Sequence, residues 1–529
     1  MKSASPIERG TPSAAEREAF RKKDPFFERL LENGCAIPTN PHFIAAREQS
    51  LKDTWFVFYQ EYCCHGGKLH DGRPLRNRSS GNFPTYFGDT RIGRITGAMH
   101  RAVDETGAYM AGTEAAREII AAYYGVSPHH LFFSAGISGG IKDIHEVFLH
   151  NTKGRVLIPN ESYPTHFSTA ITHGGKDLIV TVDRDPETGI PDLTRFTNGH
   201  ASEAVNPFEL VGFSSFIPYD NPNPVVYPPG FFRNDKGTGV FDLNEEAFKK
   251  DGVIRPVVLD MIYQSFSWPE RHVRIKELID LGDEKNILIF LNSLSKVFLE
   301  PNKRAAVVAA YVPKPLLRYA EGGMIRDLQS IFYRALNGIS NVSMAALVAG
   351  HEMLGHDELK PDPELEAIRM EGRRRFIGED GEGGNQALMC SLPHVKTLHP
   401  DLKIESSGYN MFFIDHPDPP WMKPDYKRGV LGRLRGVISA IEDPDRRAEA
   451  MNAFSYYVGL VAPEDTAASD IFCLDLVMET GVAFAPAERF YKLGTAPRRI
   501  AFRPVMVAEP AEFAEDARLV SEFLSSKLG

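Results

Sequence analysis

Residues 291–304 read LNSLSKVFLEPNKR, and they close the apolar run Ile287–Leu291. A run this short and this continuous suits a strand buried on both faces of a parallel sheet. Lys296 follows it, with Ser293 and Ser295 before it and Arg304 eight positions after it. A lysine taken at random is a solvated surface charge. One set at the end of a buried strand, among hydroxyls, reads instead as a site residue. A free lysine titrates near about 10.4 and is a poor nucleophile until its surroundings lower that value.

Working outward, the same texture recurs. Short apolar or β-branched runs occupy Leu131–Ser134, Val156–Pro159, Leu178–Val182, Leu210–Ile217, Pro256–Asp260 and Ala305–Val312. Amphipathic segments lie between several of them, such as Gly139–His150. Gly112–Tyr124 comes before the first run and stops at Gly125, a helix C-cap residue. Strand and helix in alternation predict an α/β domain with helices covering a mostly parallel sheet.

Beyond about residue 345 the pattern changes. The helical stretch Leu365–Arg375 runs into a Gly/acid-rich loop, GEDGEGG, and then come YNMFFID, a helical stretch Arg447–Leu460, GVAFAP and RRIAFRPV. This mixture predicts a smaller α+β C-terminal domain. The organisation expected is an N-terminal segment 1–75 packing on the small domain or the cleft, a large domain 76–345, and a small domain 346–529.

Composition narrows the function. With 43% hydrophobic and 25% charged residues, the chain has the material for a large core. A net charge of −10 disfavours nucleic acid or an anionic membrane as partner. Five Cys in 529 residues make no disulfide framework, and Cys63, Cys64 and His65 lack a second ligand pair, so no metal is expected. The polar N-terminus lacks the apolar core of a secretory signal and no run is long enough to span a bilayer, which reads as cytoplasmic.

Ligands of open α/β sheets bind beyond the carboxyl ends of the strands. Four unusual polar groups follow predicted strands directly: a Gly/Ser turn (SAGISGG), amides in YDNPNP, a carboxylate with a phenol in LDMIY, and Lys296. Pyridoxal 5′-phosphate (PLP) needs that set. Its aldehyde takes a lysine as a Schiff base, its pyridine nitrogen a carboxylate, and its phosphate an anion nest with hydroxyls and an arginine. Asp260 alone would more commonly be a helix N-cap; Tyr263 and the lysine segment tip it toward the cofactor.

In these segments the chain resembles the class I/II aminotransferases, the fold-type I PLP enzymes, in order from about Gly81 to Arg499. The resemblance implies that Lys296 carries the cofactor. It also implies that Ser293, Ser295 and Arg304 hold phosphate together with Gly136, Ile137 and Ser138. Asp260 then pairs with the pyridine nitrogen, Tyr263 and Asn223 with O3′, while Ile262 and Tyr163 cover the two ring faces. Asn221 competes with Asn223 for the amide role. Tyr109 would reach the neighbouring subunit's phosphate site, which implies a homodimer with shared sites. Gly81 would close over substrate, and Arg499 would grip the substrate α-carboxylate, with Arg503 as a spare.

Val225 and Val226 stand where the family has Thr-Gly, Ala306 where it commonly has Gly, and the chain is long near 1–75, 194–210 and 361–395. The activity expected is amino transfer from a small amino acid to a 2-oxo acid. The alternative is a lyase, decarboxylase or Cβ/Cγ-replacement enzyme of the same fold. A PLP-binding DNA regulator is disfavoured by the acidic chain.

Overall fold

The computed structural model describes residues 54–79, 94, 113–152, 155–174, 176–196, 206–216, 227–263, 273–297, 304–336, 341–355, 360, 362–378, 383–400, 410–492, 496 and 499–529. Gly81, Tyr109, Asn221 and Asn223 lie outside these residues.

An eight-stranded sheet organises the large domain. Its strands are β1 (Leu131–Ser134), β2 (Val156–Pro159), β3 (Ile179–Arg184), β4 (Pro191–Phe196), β5 (Phe213–Phe216), β6 (Val257–Asp260), β7 (Leu288–Ser293) and β8 (Ala306–Tyr311). They lie in the order β1-β8-β7-β6-β5-β2-β3-β4. The neighbours from β7 through β6, β5 and β2 to β3 pair in parallel. Only β8 and the edge strand β4 run the other way. The interior strands are almost wholly buried and mostly apolar because helices cover both faces, and each fully buried Val, Leu, Ile or Phe contributes about 1.5–3 kcal/mol.

Three helices matter for the site: α1 (Thr113–Tyr124), α2 (Ile137–Thr152) and α3 (Pro164–Gly174). The first ends at Gly125 in a left-handed conformation, φ 61°. The other two start at the carboxyl ends of β1 and β2, so their first turns face the same sheet edge. A fourth, the single turn α4 (Leu294–Val297), carries Lys296 off the end of β7.

The small domain has a four-stranded antiparallel sheet. Its strands β9 (Val395–Thr397), β10 (Phe412–Ile414), β11 (Ala485–Pro486) and β12 (Ala501–Arg503) lie in the order β9-β10-β12-β11. Residues 54–79 join this domain's core. Trp55, Phe56, Phe58 and Tyr59 are buried with Phe454, Phe472 and Phe502. Asp470, itself inaccessible, accepts the backbone N–H groups of Trp55 at 3.0 Å and Phe56 at 2.9 Å. Each of those donors, left unpaired in the core, would cost about 1–3 kcal/mol, so the contact fixes where the segment docks. Among the described residues no helix is long and apolar enough to cross a membrane.

Candidate active site

The sheet edge at the carboxyl ends of β1, β2, β6 and β7 gathers most of the residues singled out from sequence. Gly136 follows β1 with φ 85°, a left-handed conformation that turns the chain into the N-terminus of α2 at Ile137 and Ser138. The Arg304 guanidinium donates to the Ala135 carbonyl at 3.3 Å. A Cβ at Gly136 would sit 2.5 Å from its terminal nitrogen, so only glycine lets the arginine lie across the turn. Ser138 Oγ is 3.3 Å from the Tyr163 hydroxyl, which comes from the loop after β2.

From β7, Ser293 and Ser295 are buried, and the Ser295 N–H donates to Ser293 Oγ at 3.2 Å. Lys296 keeps part of its surface open while protein crowds its other sides. Burial, with the charges of Arg503 and Arg304, lowers its amine to about 7. Near neutral pH much of it is therefore uncharged and nucleophilic.

Asp260 ends β6 and is inaccessible to solvent. One carboxylate oxygen accepts the Ile262 N–H at 3.2 Å, so the residue also braces its own turn. The other is 3.2 Å from His166 Nε2, and His166 Nδ1 is 2.9 Å from Ser215 Oγ. A carboxylate that is ionised only accepts, so Nε2 is the donor to it, while at Nδ1 either the ring or the Ser215 hydroxyl can donate. Behind it, His145 is 2.9 Å from Thr169 Oγ1, and burial, with the nearby His166 and His173, pushes it well below the usual imidazole range. Ile262 and Tyr263 are buried beside Asp260.

Two placements differ from the sequence reading. Arg499 is exposed, its guanidinium 4.7 Å from the Phe413 ring centroid. The inward arginine is Arg503, which is buried, lies 4.9 Å from the Phe490 ring centroid, donates to the Ser79 carbonyl at 2.6 Å and acts on Lys296. The reason is local: β12 begins only at Ala501, so Arg499 lies ahead of the strand and Arg503 within it. His166 and Ser215 had not been singled out. The available signal was a histidine three residues after Tyr163 in YPTH, at the start of a helix leaving a strand end.

No family model and no curated protein matches the sequence. Solved structures do. An aminotransferase from Escherichia coli superposes with TM-score 0.58 at 18% identity, covering 87% of this chain and 93% of that one. The aspartate aminotransferase from Rhizobium meliloti gives 0.60 at 15%, covering 93% and 100%. Alanine aminotransferase from Pyrococcus furiosus gives 0.55 at 14%, covering 83% and 89%. Over most of its length this chain has the fold of these aminotransferases.

Proposed function

We propose that the protein is a PLP-dependent aminotransferase, and the observation that carries the reading is Lys296. Its amine is lowered to about 7 by burial and by the charges of Arg503 and Arg304, at the sheet edge where Asp260 also emerges. The residues present fit the cofactor. Gly136 leaves a cradle at a helix start that a Cβ would fill, with the Arg304 guanidinium laid across it. Ser138, Ser293 and Ser295 add hydroxyls to that phosphate site. Asp260, held as an acceptor by His166, suits a protonated pyridine nitrogen, and Tyr263 suits O3′. Ile262 and Tyr163 are the groups for the two ring faces.

Bound there, PLP would supply an electron sink for charge developing on the substrate's Cα. The chain's own part is to position and to move protons. Arg503 takes the substrate carboxylate, a role the exposed Arg499 leaves to it. With a value near neutrality, the Lys296 amine can accept a proton from Cα and return it at the end of a turn. A homodimer in which Tyr109 enters the partner's site remains part of the proposal; an active monomer by sedimentation would refute that part.

The test is an absorbance titration of the purified protein with PLP, followed by incubation with one L-amino acid and one 2-oxo acid. A new visible band, with the donor converted to its 2-oxo acid and the acceptor to its amino acid, supports the proposal. Release of CO₂ or a side-chain fragment, without that exchange, replaces it with the lyase reading. Two variants probe the assignments. Gly136→Ala adds a clash with Arg304 and strain of about 1–3 kcal/mol, so PLP affinity is expected to fall about 10- to 100-fold in the same titration. Arg503→Gln removes a positive neighbour of Lys296, so its pKa rises above about 7 and the KM for amino acid climbs. An unchanged KM would return the carboxylate role to another residue.

A further inference from the structure

Glu161 is a carboxylate in an unusual setting. It lies two residues ahead of Tyr163, is buried, and holds a left-handed backbone, φ 60°, that side-chain-bearing residues rarely adopt. Both of its oxygens engage the small domain. One is 2.8 Å from His399 Nε2, and the other accepts the Tyr491 hydroxyl at 2.8 Å. The second ring nitrogen of His399, Nδ1, is 2.9 Å from the Pro186 carbonyl. A carbonyl and an ionised carboxylate both only accept, so both ring nitrogens carry hydrogen and His399 is an imidazolium.

The backbone is joined at the same place. The Ser162 N–H donates to the Phe490 carbonyl at 3.0 Å, and the Lys492 ammonium donates to the Ile179 carbonyl at 2.8 Å. One side of this junction thus carries Tyr163, and the other carries Phe490, the ring that supports Arg503. We propose that Glu161 and His399 form a charged latch between the two domains that positions Tyr163 and Arg503 against each other, and that loss of the His399 proton releases it. The roles of Tyr163 and Arg503 rest on the function proposed above; the latch itself can be tested without them.

The charged surroundings are few. Glu161 faces His399, Arg184 and Tyr491; His399 faces Glu161, Arg184 and the Pro186 carbonyl; Tyr491 faces Glu161, Arg184 and Glu488. Burial opposes the charge on His399, but the Glu161 carboxylate outweighs it and the imidazole pKa is raised. Burial likewise opposes the charge on Glu161, while His399 and Arg184 hold its pKa below the ordinary carboxyl value. Burial drives the Tyr491 hydroxyl far up, so it stays a neutral donor. A raised imidazole stabilises the latch below its unfolded value and loses that contribution as pH rises through the folded one. A lowered carboxyl stabilises above its ordinary value and loses its contribution as pH falls through the folded one. Between those limits the latch is closed.

The experiment is hydrogen exchange by mass spectrometry on the full chain across a pH series, corrected for the intrinsic pH dependence of exchange. Segments 160–163 and 488–492 are expected to lose about tenfold in protection as pH passes upward through the His399 value. Glu161→Gln keeps the side chain's shape without its charge, and should show the reduced protection at every pH. His399→Gln serves the same purpose if that variant does not fold. Tyr491→Phe removes only the neutral donor and should keep the pH response. Unaltered protection in Glu161→Gln, or a loss shared equally by the central segment 288–293, overturns the latch. In turnover, Glu161→Gln should raise KM for amino acid about tenfold and leave kcat little changed; a fall in kcat at constant KM overturns the positioning role. An intact exchange response in a protein that captures no PLP would sink the proposed enzyme and leave the latch standing.

Discussion

Lys296→Ala is expected to abolish the visible band formed with PLP and to lower turnover at least about 10⁴-fold, the upper range for a single proton-transferring group. Its circular dichroism should match the parent, because the side chain lies at the sheet edge and Ser293, Leu294 and Ser295, which turn the chain there, are unaltered. The pH dependence separates this lysine from a surface one. Its neutral fraction rises through about pH 7, so cofactor capture should climb across that range and level off, whereas an ordinary lysine would keep gaining toward about 10.4. The sign for stability follows. The folded value is lowered, so between about 7 and 10.4 the unfolded chain binds one more proton and native stability rises with pH. Below about 7 the penalty of a buried cation beside Arg503 and Arg304 is complete. Lys296→Met should therefore melt higher than the parent in cofactor-free protein at pH 6, and the difference should shrink as pH climbs. A variant that melts lower at every pH would mean the lysine is not held against its charge.

Asp260→Asn is the second large effect. The carboxylate is inaccessible, and its environment is built to keep it an acceptor: the Ile262 N–H on one oxygen, His166 on the other, Ser215 behind the histidine. On the assignment proposed above, the variant leaves a protonated pyridine nitrogen without its charged partner, a loss of about 3–5 kcal/mol, which as a barrier is about 10²- to 10⁴-fold in rate. The band with PLP should still form, because Lys296 is intact, while kcat collapses. His166→Gln should fall between the parent and Asp260→Asn, since it disturbs the acceptor without removing it. Parent-like kcat in Asp260→Asn would mean the carboxylate serves only to brace the turn at Ile262.

The sheet could be read from sequence because most of its interior strands are short, largely apolar runs, and β1, β2, β6 and β7 lie within a residue or two of the expected ones. The edge strand Pro191–Phe196 could not, since PDLTRF begins with Pro and is largely polar. Lys296, Asp260, Gly136 and Arg304 stood out because each follows or precedes a strand, where a polar group needs a reason. Their convergence follows from strand direction: β1, β6 and β7 end at this edge, and the reversed β8 begins there. The resemblance puts the carboxylate arginine at Arg499 ahead of Arg503, and nothing in RRIAFRP announces that the strand begins only at Ala501. Glu161 was invisible for a different reason: its partners lie 238 and 330 positions away, and no local pattern announces a buried carboxylate.

The reversed strand β8 has a consequence for how the protein is made. It is the neighbour of β1, yet the chain must be extended from Ser134 to Ala306 before the two can pair. During synthesis β1 and the Gly136 turn wait with an open edge, while β2, β3 and β5 to β7 are already available to one another. Contacts so distant in sequence form late and leave sticky edges exposed in the meantime. A ligand that bound only the assembled edge, touching both the Gly136 turn and Arg304, would favour the completed state by mass action. On the assignment proposed above, the phosphate of the vitamin would then act as a rivet on the last seam of the sheet. Cells short of that vitamin should accumulate less of the protein, apart from any loss of its activity.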